Sequence, residues 1–319
     1  MLSKLISCLE TADNTLIIMH EYPDGDAISS ALVLYLMLGK MGKRVRVICK
    51  DDIPEVFNFL PHVDKIGNDF IMADYDTLCA VDCGDLKRTG FVDRIKIFAR
   101  QKKRLINIDH HKRSDLHKLA NFNFVDDSAA ASAQLVEELM RELNFKIDRD
   151  IATLLLTGIY TDTGGFQHSN TNQKVYGLSS RLLACGAQLN KISRHIAFNK
   201  RVSSLKLWGL ALTRVRISKN GIALSYIKHC DIAQCAAGYE DLAGVVNVIN
   251  SIPNSKLAIL FTEIPDGKIK ASIRTEKSDV DVAQFAGFFG GGGHKKAAGF
   301  TIDGRIKESS NGAWVVESI

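Results

Sequence analysis

Apolar positions follow two rhythms along this chain. In the first 187 residues, short continuous apolar runs alternate with segments whose apolar residues recur at helical spacing; the runs are "TLIIM" (15–19), "VRVIC" (45–49), "TLCAVD" (77–82) and "RLINID" (104–109). Runs that lack an apolar–polar alternation predict strands covered on both faces, hence an α/β domain with a mainly parallel sheet flanked by helices. From residue 127 the pattern turns helical. "SAAASAQLVEELMREL" opens on Ser128 as the expected N-cap, "DIATLLLTGIYTD" carries Asp162 near its end, and a third helix runs from Asn172 to Cys185.

A polar, basic stretch, "NKISRHIAFNKRVSS", then changes the rhythm. The expected organisation is a first domain over 1–187, a linker over 188–204 and a smaller C-terminal α/β domain over 205–319. That second domain reads as a helix ("LKLWGLALTRV"), a strand ("GIALSYI"), a helix ("LAGVVNVINSI") and two strands, "KLAILFTEI" and "KIKASIRTE", joined by the turn "PDGK".

With 319 residues and 46% hydrophobic content, each domain can fill its own core. The strongest apolar run, Ala31–Leu38, is far shorter than the roughly 20 residues of a bilayer span. The N-terminal "MLSKLISCLETADN" is polar where a secretory signal carries its apolar core, so a cytoplasmic location without a membrane partner is expected. Seven scattered cysteines without a C-x-x-C pair predict reduced thiols, not a disulfide framework or zinc finger. The net charge of +5 fits phosphate-rich ligands without establishing nucleic-acid binding.

The chemistry lies where predicted elements end. His20, Asp24 and Asp26 follow the first strand, with no Lys or Arg anywhere in residues 15–38 to neutralise the carboxylates. Asp82 follows "LCAV", Asp109, His110 and His111 follow "LINI", and Asp162 ends a helix. Singly, each has a plain structural explanation: a Pro-Asp-Gly turn, a helix cap, a loop. Together they converge, because ligands of a parallel sheet sit at the carboxyl ends of its strands. Carboxylate and imidazole without thiolate suit Mn²⁺, Mg²⁺, Fe²⁺ or Co²⁺ better than structural zinc.

"HEYPDGDA", "VDCGD", "IDHH" and "GIYTDTGGF" resemble the four motifs of the DHH phosphoesterases, and "GGGGHKKAAGF" resembles the glycine-rich motif of the DHH-associated C-terminal domain. Within that family the lengths are most similar to the stand-alone nanoRNase type, exonucleases of short oligonucleotides that also dephosphorylate 3′-phosphoadenosine 5′-phosphate (pAp). The resemblance implies two divalent ions, Mn²⁺ first with Mg²⁺ or Co²⁺ as alternatives. One ion would be held by His20, Asp24 and Asp82, the other by Asp26, Asp82, His110 and Asp162, with Asp82 bridging. It further implies Asp109 as the residue orienting His110, and His111 facing a phosphoryl oxygen or the leaving group. Tyr22, Ser29 and Ser114 depart from the usual motif residues; none belongs to the implied ligand set, and they bear on substrate fit.

Glycines 290–293 lie between "AQFAGFF" and "AAGF", an unusual place for a linker. Their amides can approach an anion closely. The expected phosphate clamp consists of Arg274, Gly291, Gly292, Gly293, His294 and Lys295. The expected partners are therefore short single-stranded RNA or small nucleotides such as pAp, with a homodimer left open. Hydrolysis of pApA or cyclic dinucleotides, an inorganic pyrophosphatase, and a non-catalytic nucleotide- or RNA-binding module stand as alternatives.

Overall fold

Successive residues of strand β1 (Asn14–Ile18) enter opposite cores: Leu16 and Ile18 pack on one face of the sheet, Ile17 on the other. This period-two division is what a doubly covered strand requires. The computed structural model describes residues 2–101, 103–198, 200–308 and 314–317, apart from the side chain of His294. The chain divides into two compact units, Met1–Asn199 and Lys200–Ile319.

In the first unit, α1 (Leu2–Glu10) and β1 precede α2 (Gly25–Lys40), β2 (Arg44–Ile48), β3 (Ile66–Gly67) and β4 (Thr77–Val81). Next come α3 (Val92–Arg100), β5 (Arg104–Asp109), α4 (Asp115–Leu119) and β6 (Phe122–Val125), then the helices α5 (Ser132–Glu142), α6 (Arg149–Asp162), α7 (Gln173–Ala184) and α8 (Leu189–Ser193). All five strand pairings are parallel, in the order β3-β2-β1-β4-β5-β6. The order reverses between β1 and β4, which is where an open α/β sheet leaves a crevice at its carboxyl edge. One sheet face packs on α2, α5 and α6, the other on α3 and α4. β3 and β6 extend the four expected strands; they are short edge strands of half-buried residues and carry little apolar signal.

Residues 189–198 are helical, α8 being followed by a π-helical turn at Arg194–Phe198. The second unit contains α9 (Val202–Thr213), β7 (Arg216–Ile217), β8 (Ile222–Ile227), α10 (His229–Gln234), α11 (Val245–Asn250), β9 (Leu257–Ile264) and β10 (Lys268–Arg274). It ends with α12 (Val282–Gly287), β11 (Gly292–His294), β12 (Ala297–Asp303), β13 (Arg305–Glu308) and β14 (Trp314–Glu317). Its main sheet is mixed, ordered β11-β12-β10-β9-β8-β7, and β13–β14 form a separate hairpin. The "PDGK" turn closes β9 onto β10 with both Asp266 and Gly267 at positive φ. Every cysteine is a free thiol, five of them buried. Among the described residues no helix is long and apolar enough to cross a membrane.

Candidate metal centre

Asp24 is the N-cap of α2, its Oδ1 accepting from the amides of Asp26 and Ala27 at 3.0 and 3.1 Å. That cap turns Oδ2 toward His20 Nε2, 3.6 Å away. Asp82 follows β4 directly and takes φ +57, a left-handed conformation uncommon outside glycine. Its two oxygens face opposite ways. Oδ2 lies 3.8 Å from His20 Nε2, while Oδ1 lies 3.4 Å from His110 Nε2 and accepts from Ser132 Oγ at 2.9 Å. His110 Nε2 also approaches Asp162 Oδ2 at 3.2 Å and Asp26 Oδ2 at 4.0 Å. His20, Asp24 and Asp82 thus form one group of potential ligands, Asp26, His110 and Asp162 a second, and Asp82 touches both and also groups with His110 and His111.

The imidazoles are oriented for cation binding. His20 Nδ1 lies 2.7 Å from the carbonyl of Glu21, which assigns the proton to Nδ1 and leaves Nε2 as a lone pair directed at two carboxylates. Nε2 is buried and has no hydrogen-bond partner among the described residues. A cation is the group that satisfies this atom and the facing carboxylates at once, so the donor set fits divalent metal.

Electrostatics agrees. Burial, with the Asp82 and Asp162 charges, pushes the Asp26 carboxyl well above the ordinary carboxylate range. Burial likewise lifts Asp162 to about 6, against the opposing pull of His110. Burial disfavours a charged His20 and a charged His110, yet the surrounding carboxylates raise both. Asp24 moves the other way: the penalty of burial is outweighed by the attraction of the facing His20 imidazole.

Asp109 corrects an expectation. Its Oδ1 accepts from the backbone amide of His111 at 3.0 Å and lies 2.7 Å from His111 Nδ1, and its Oδ2 accepts from Gly84 N at 2.7 Å. Asp109, the last residue of β5, therefore orients His111, not His110; both histidines follow it where the chain bends away from the strand. His110 Nδ1 instead faces the carbonyl of Ala129 at 3.4 Å. His111 Nε2 lies 3.3 Å from Arg88 Nη1, so the ring donates to Asp109 and accepts from the guanidinium. Gly84 permits this approach: φ is +71, and a Cβ there would stand 2.9 Å from Arg88 Nη1.

Several supporting residues escaped the sequence reading. Asp26 accepts from Ser30 Oγ and from the amides of Ser132 and Ala133, the latter two at 2.5 and 2.9 Å, so a candidate ligand from α2 caps the start of α5. The expected cap, Ser128, bonds Asp126 in a local turn, and the helix begins four residues later. Asn170 Nδ2 donates to the carbonyl of Asp162 at 3.1 Å. Arg88 lacked a motif to mark it.

In the second unit, Arg274 ends β10 and is paired in register with Ala297, which is paired with His294. The side chain of His294 lies outside the described residues. Burial lowers the pKa of the Arg274 guanidinium, and Lys295 is exposed. Two glycines have another task. Gly290 and Gly291 donate to Gly287 and Ala286 and terminate α12, so the amide of Gly291 is not directed at an anion. Gly292 and Gly293 lie on the edge strand β11.

The comparisons follow this division. Residues 14–159 match the DHH family, N-terminal domain, and residues 232–311 match the DHHA1 domain. The bifunctional oligoribonuclease and PAP phosphatase NrnA of Thermus thermophilus is 32% identical over 89% of this chain and 83% of its own length. The Bacillus subtilis protein of the same name is 24% identical over 95% and 93%. The crystal structure of an exopolyphosphatase-related protein from Bacteroides fragilis superposes with a TM-score of 0.85 at 28% identity, covering 94% of this chain and 90% of that one. With its motif carboxylates and histidines gathered at the switch point of the parallel sheet, the chain belongs to the DHH family of phosphoesterases.

Proposed function

We propose that this protein is a divalent-metal-dependent phosphoesterase that degrades short single-stranded RNA to mononucleotides and converts pAp to AMP. The observation that carries the reading is the Asp82 carboxylate, one oxygen facing His20 and the other His110, each histidine ringed by further carboxylates. His20, Asp24 and Asp82 would hold one ion, and Asp26, Asp82, His110 and Asp162 the other, with Mn²⁺ favoured by the oxygen and imidazole donors. When bound, such ions activate water and neutralise the charge developing on a transferring phosphoryl group.

The chain's own residues supply orientation. The Ser132 and Ala133 amides and the Ser30 hydroxyl fix the Asp26 carboxylate, and the Ser132 hydroxyl fixes Asp82. Asp109 holds His111 so that its Nε2 and the Arg88 guanidinium face one another. An arriving phosphoryl oxygen would draw Arg88 toward itself, placing a positive group and an anchored imidazole beside the scissile bond. In the C-terminal unit, Arg274, Gly292, Gly293, His294 and Lys295 are assigned to phosphate binding. The relatives named as oligoribonuclease and PAP phosphatase support this substrate class, and the free thiols support action in the cytoplasm.

The test is a substrate panel of short RNA, pAp, pApA, a cyclic dinucleotide and pyrophosphate, each with Mn²⁺, Mg²⁺ or Co²⁺ added to dialysed protein. Release of mononucleotides from short RNA and of phosphate from pAp is expected. Activity confined to pyrophosphate, or hydrolysis indifferent to chelation, would overturn the proposal.

A further inference from the structure

Tyr22 is 83% exposed, yet its backbone is held in the left-handed region at φ +52. For a bulky residue that conformation is an outlier and persists only where the surroundings enforce it. Here they do. The Tyr22 amide donates to Asp51 Oδ2 at 2.8 Å, the preceding Glu21 amide donates to the Arg88 carbonyl at 2.6 Å, Pro23 follows with its fixed φ, and Asp24 caps α2. The most exposed large side chain on this loop is therefore carried on a pinned backbone between two candidate metal ligands, His20 and Asp24. Two residues of chain span at most about 7 Å, so the Tyr22 Cα lies within about 7 Å of the Cα atoms of both ligands.

A strained backbone that presents an aromatic ring to water gains nothing for the fold. We propose that Tyr22 is a stacking platform for a nucleobase of the substrate, whose phosphate lies over the Asp82 centre. The assignment rests on the phosphoesterase reading above and adds a recognition element within the first unit. A phenol ring stacks on any base, so it confers preference for nucleotides over baseless phosphodiesters with little discrimination among sequences. Because the loop is pinned, little ordering is required on binding.

The test exploits the backbone. Asparagine adopts positive φ more readily than tyrosine, so Tyr22→Asn keeps the loop and removes the ring, whereas Tyr22→Phe keeps the ring. Steady-state kinetics would be measured on pApA and on the same dinucleotide with its bases removed. Tyr22→Asn should raise KM for pApA about tenfold while melting no lower than wild type, and Tyr22→Phe should hold KM within about twofold. On the abasic substrate the three proteins should converge. An unchanged KM for pApA in Tyr22→Asn, alongside an active wild-type protein, would overturn the platform and leave the phosphoesterase reading intact. A wild-type protein that hydrolyses neither of these substrates, nor short RNA or pAp, would overturn both.

Discussion

At the scale of single residues, Asp82 concentrates the argument, since its φ of +57 and its two-sided carboxylate occur together. Aspartate enters this left-handed region more readily than most residues, and here the conformation directs the carboxylate between the two histidines. Asparagine tolerates the same region, so Asp82→Asn removes a charge without disturbing the turn. The expected outcome is a fall in kcat/KM of about a hundredfold or more, with weakened Mn²⁺ retention in equilibrium dialysis and an unchanged or raised melting temperature. Asp109→Asn should behave differently. It loosens His111 but is itself in none of the potential ligand groups, so kcat should drop by about 10–100-fold while metal stoichiometry stays at the wild-type value. Loss of metal from Asp109→Asn would show that the residue supports the ions and not the imidazole.

At the scale of elements, the centre depends on how closely α6 approaches α2 and α5. A Cβ on Gly158 would stand 2.6 Å from Asp26 Oδ1 and 2.8 Å from the Ala133 side chain. Replacing a helical glycine by alanine ordinarily gains up to about 1 kcal/mol, but overpacking at a filled contact costs about 1–3 kcal/mol. Gly158→Ala is therefore expected to lower the denaturation midpoint in urea and to weaken metal binding by displacing Asp26; a stabilised variant with wild-type metal affinity would contradict the close approach. The same residues mark how far the sequence could be read. The strands bearing His20, Asp82 and Asp109 were legible because runs buried on both faces leave continuous apolar segments, and topology then aligns their ends. The α5 cap was not, since its acceptor, Asp26, is 106 residues distant along the chain and Ser128 offered a local substitute. The partner of Asp109 was not legible because both histidines lie past the end of β5, where strand alternation no longer fixes the side a residue takes. The glycine run concealed a helix terminus at Gly290 and Gly291, a role no count of glycines distinguishes from an anion nest.

At the scale of the molecule, each unit has its own apolar clusters, those of the first drawn from residues before 200 and those of the second from residues after it. Two calorimetric transitions are expected, and divalent metal should move only the one belonging to the first unit. The pH dependence fixes the sign of the effect. In the metal-free protein burial lifts the Asp162 carboxyl to about 6, and burial with the neighbouring carboxylates also raises Asp26 well above the ordinary carboxylate range. Stability contributed by a protonated group of this kind is complete below the ordinary carboxylate value and is lost as pH rises through about 6, where Asp162 must ionise beside Asp82 and Asp24. Metal binding needs the ionised form and so strengthens over the same interval. The two trends oppose one another: the metal-free transition should fall between pH 5 and 7.5 while the metal-bound one holds or rises. At a hundredfold excess over Kd, stabilisation is about 2.7 kcal/mol, or roughly 5–10 °C for a unit of this size, and the shift at pH 5 should be less than about half that. An Mn²⁺-induced shift of equal size at both pH values would mean that the carboxylates around Asp82 are not the groups that receive the ion.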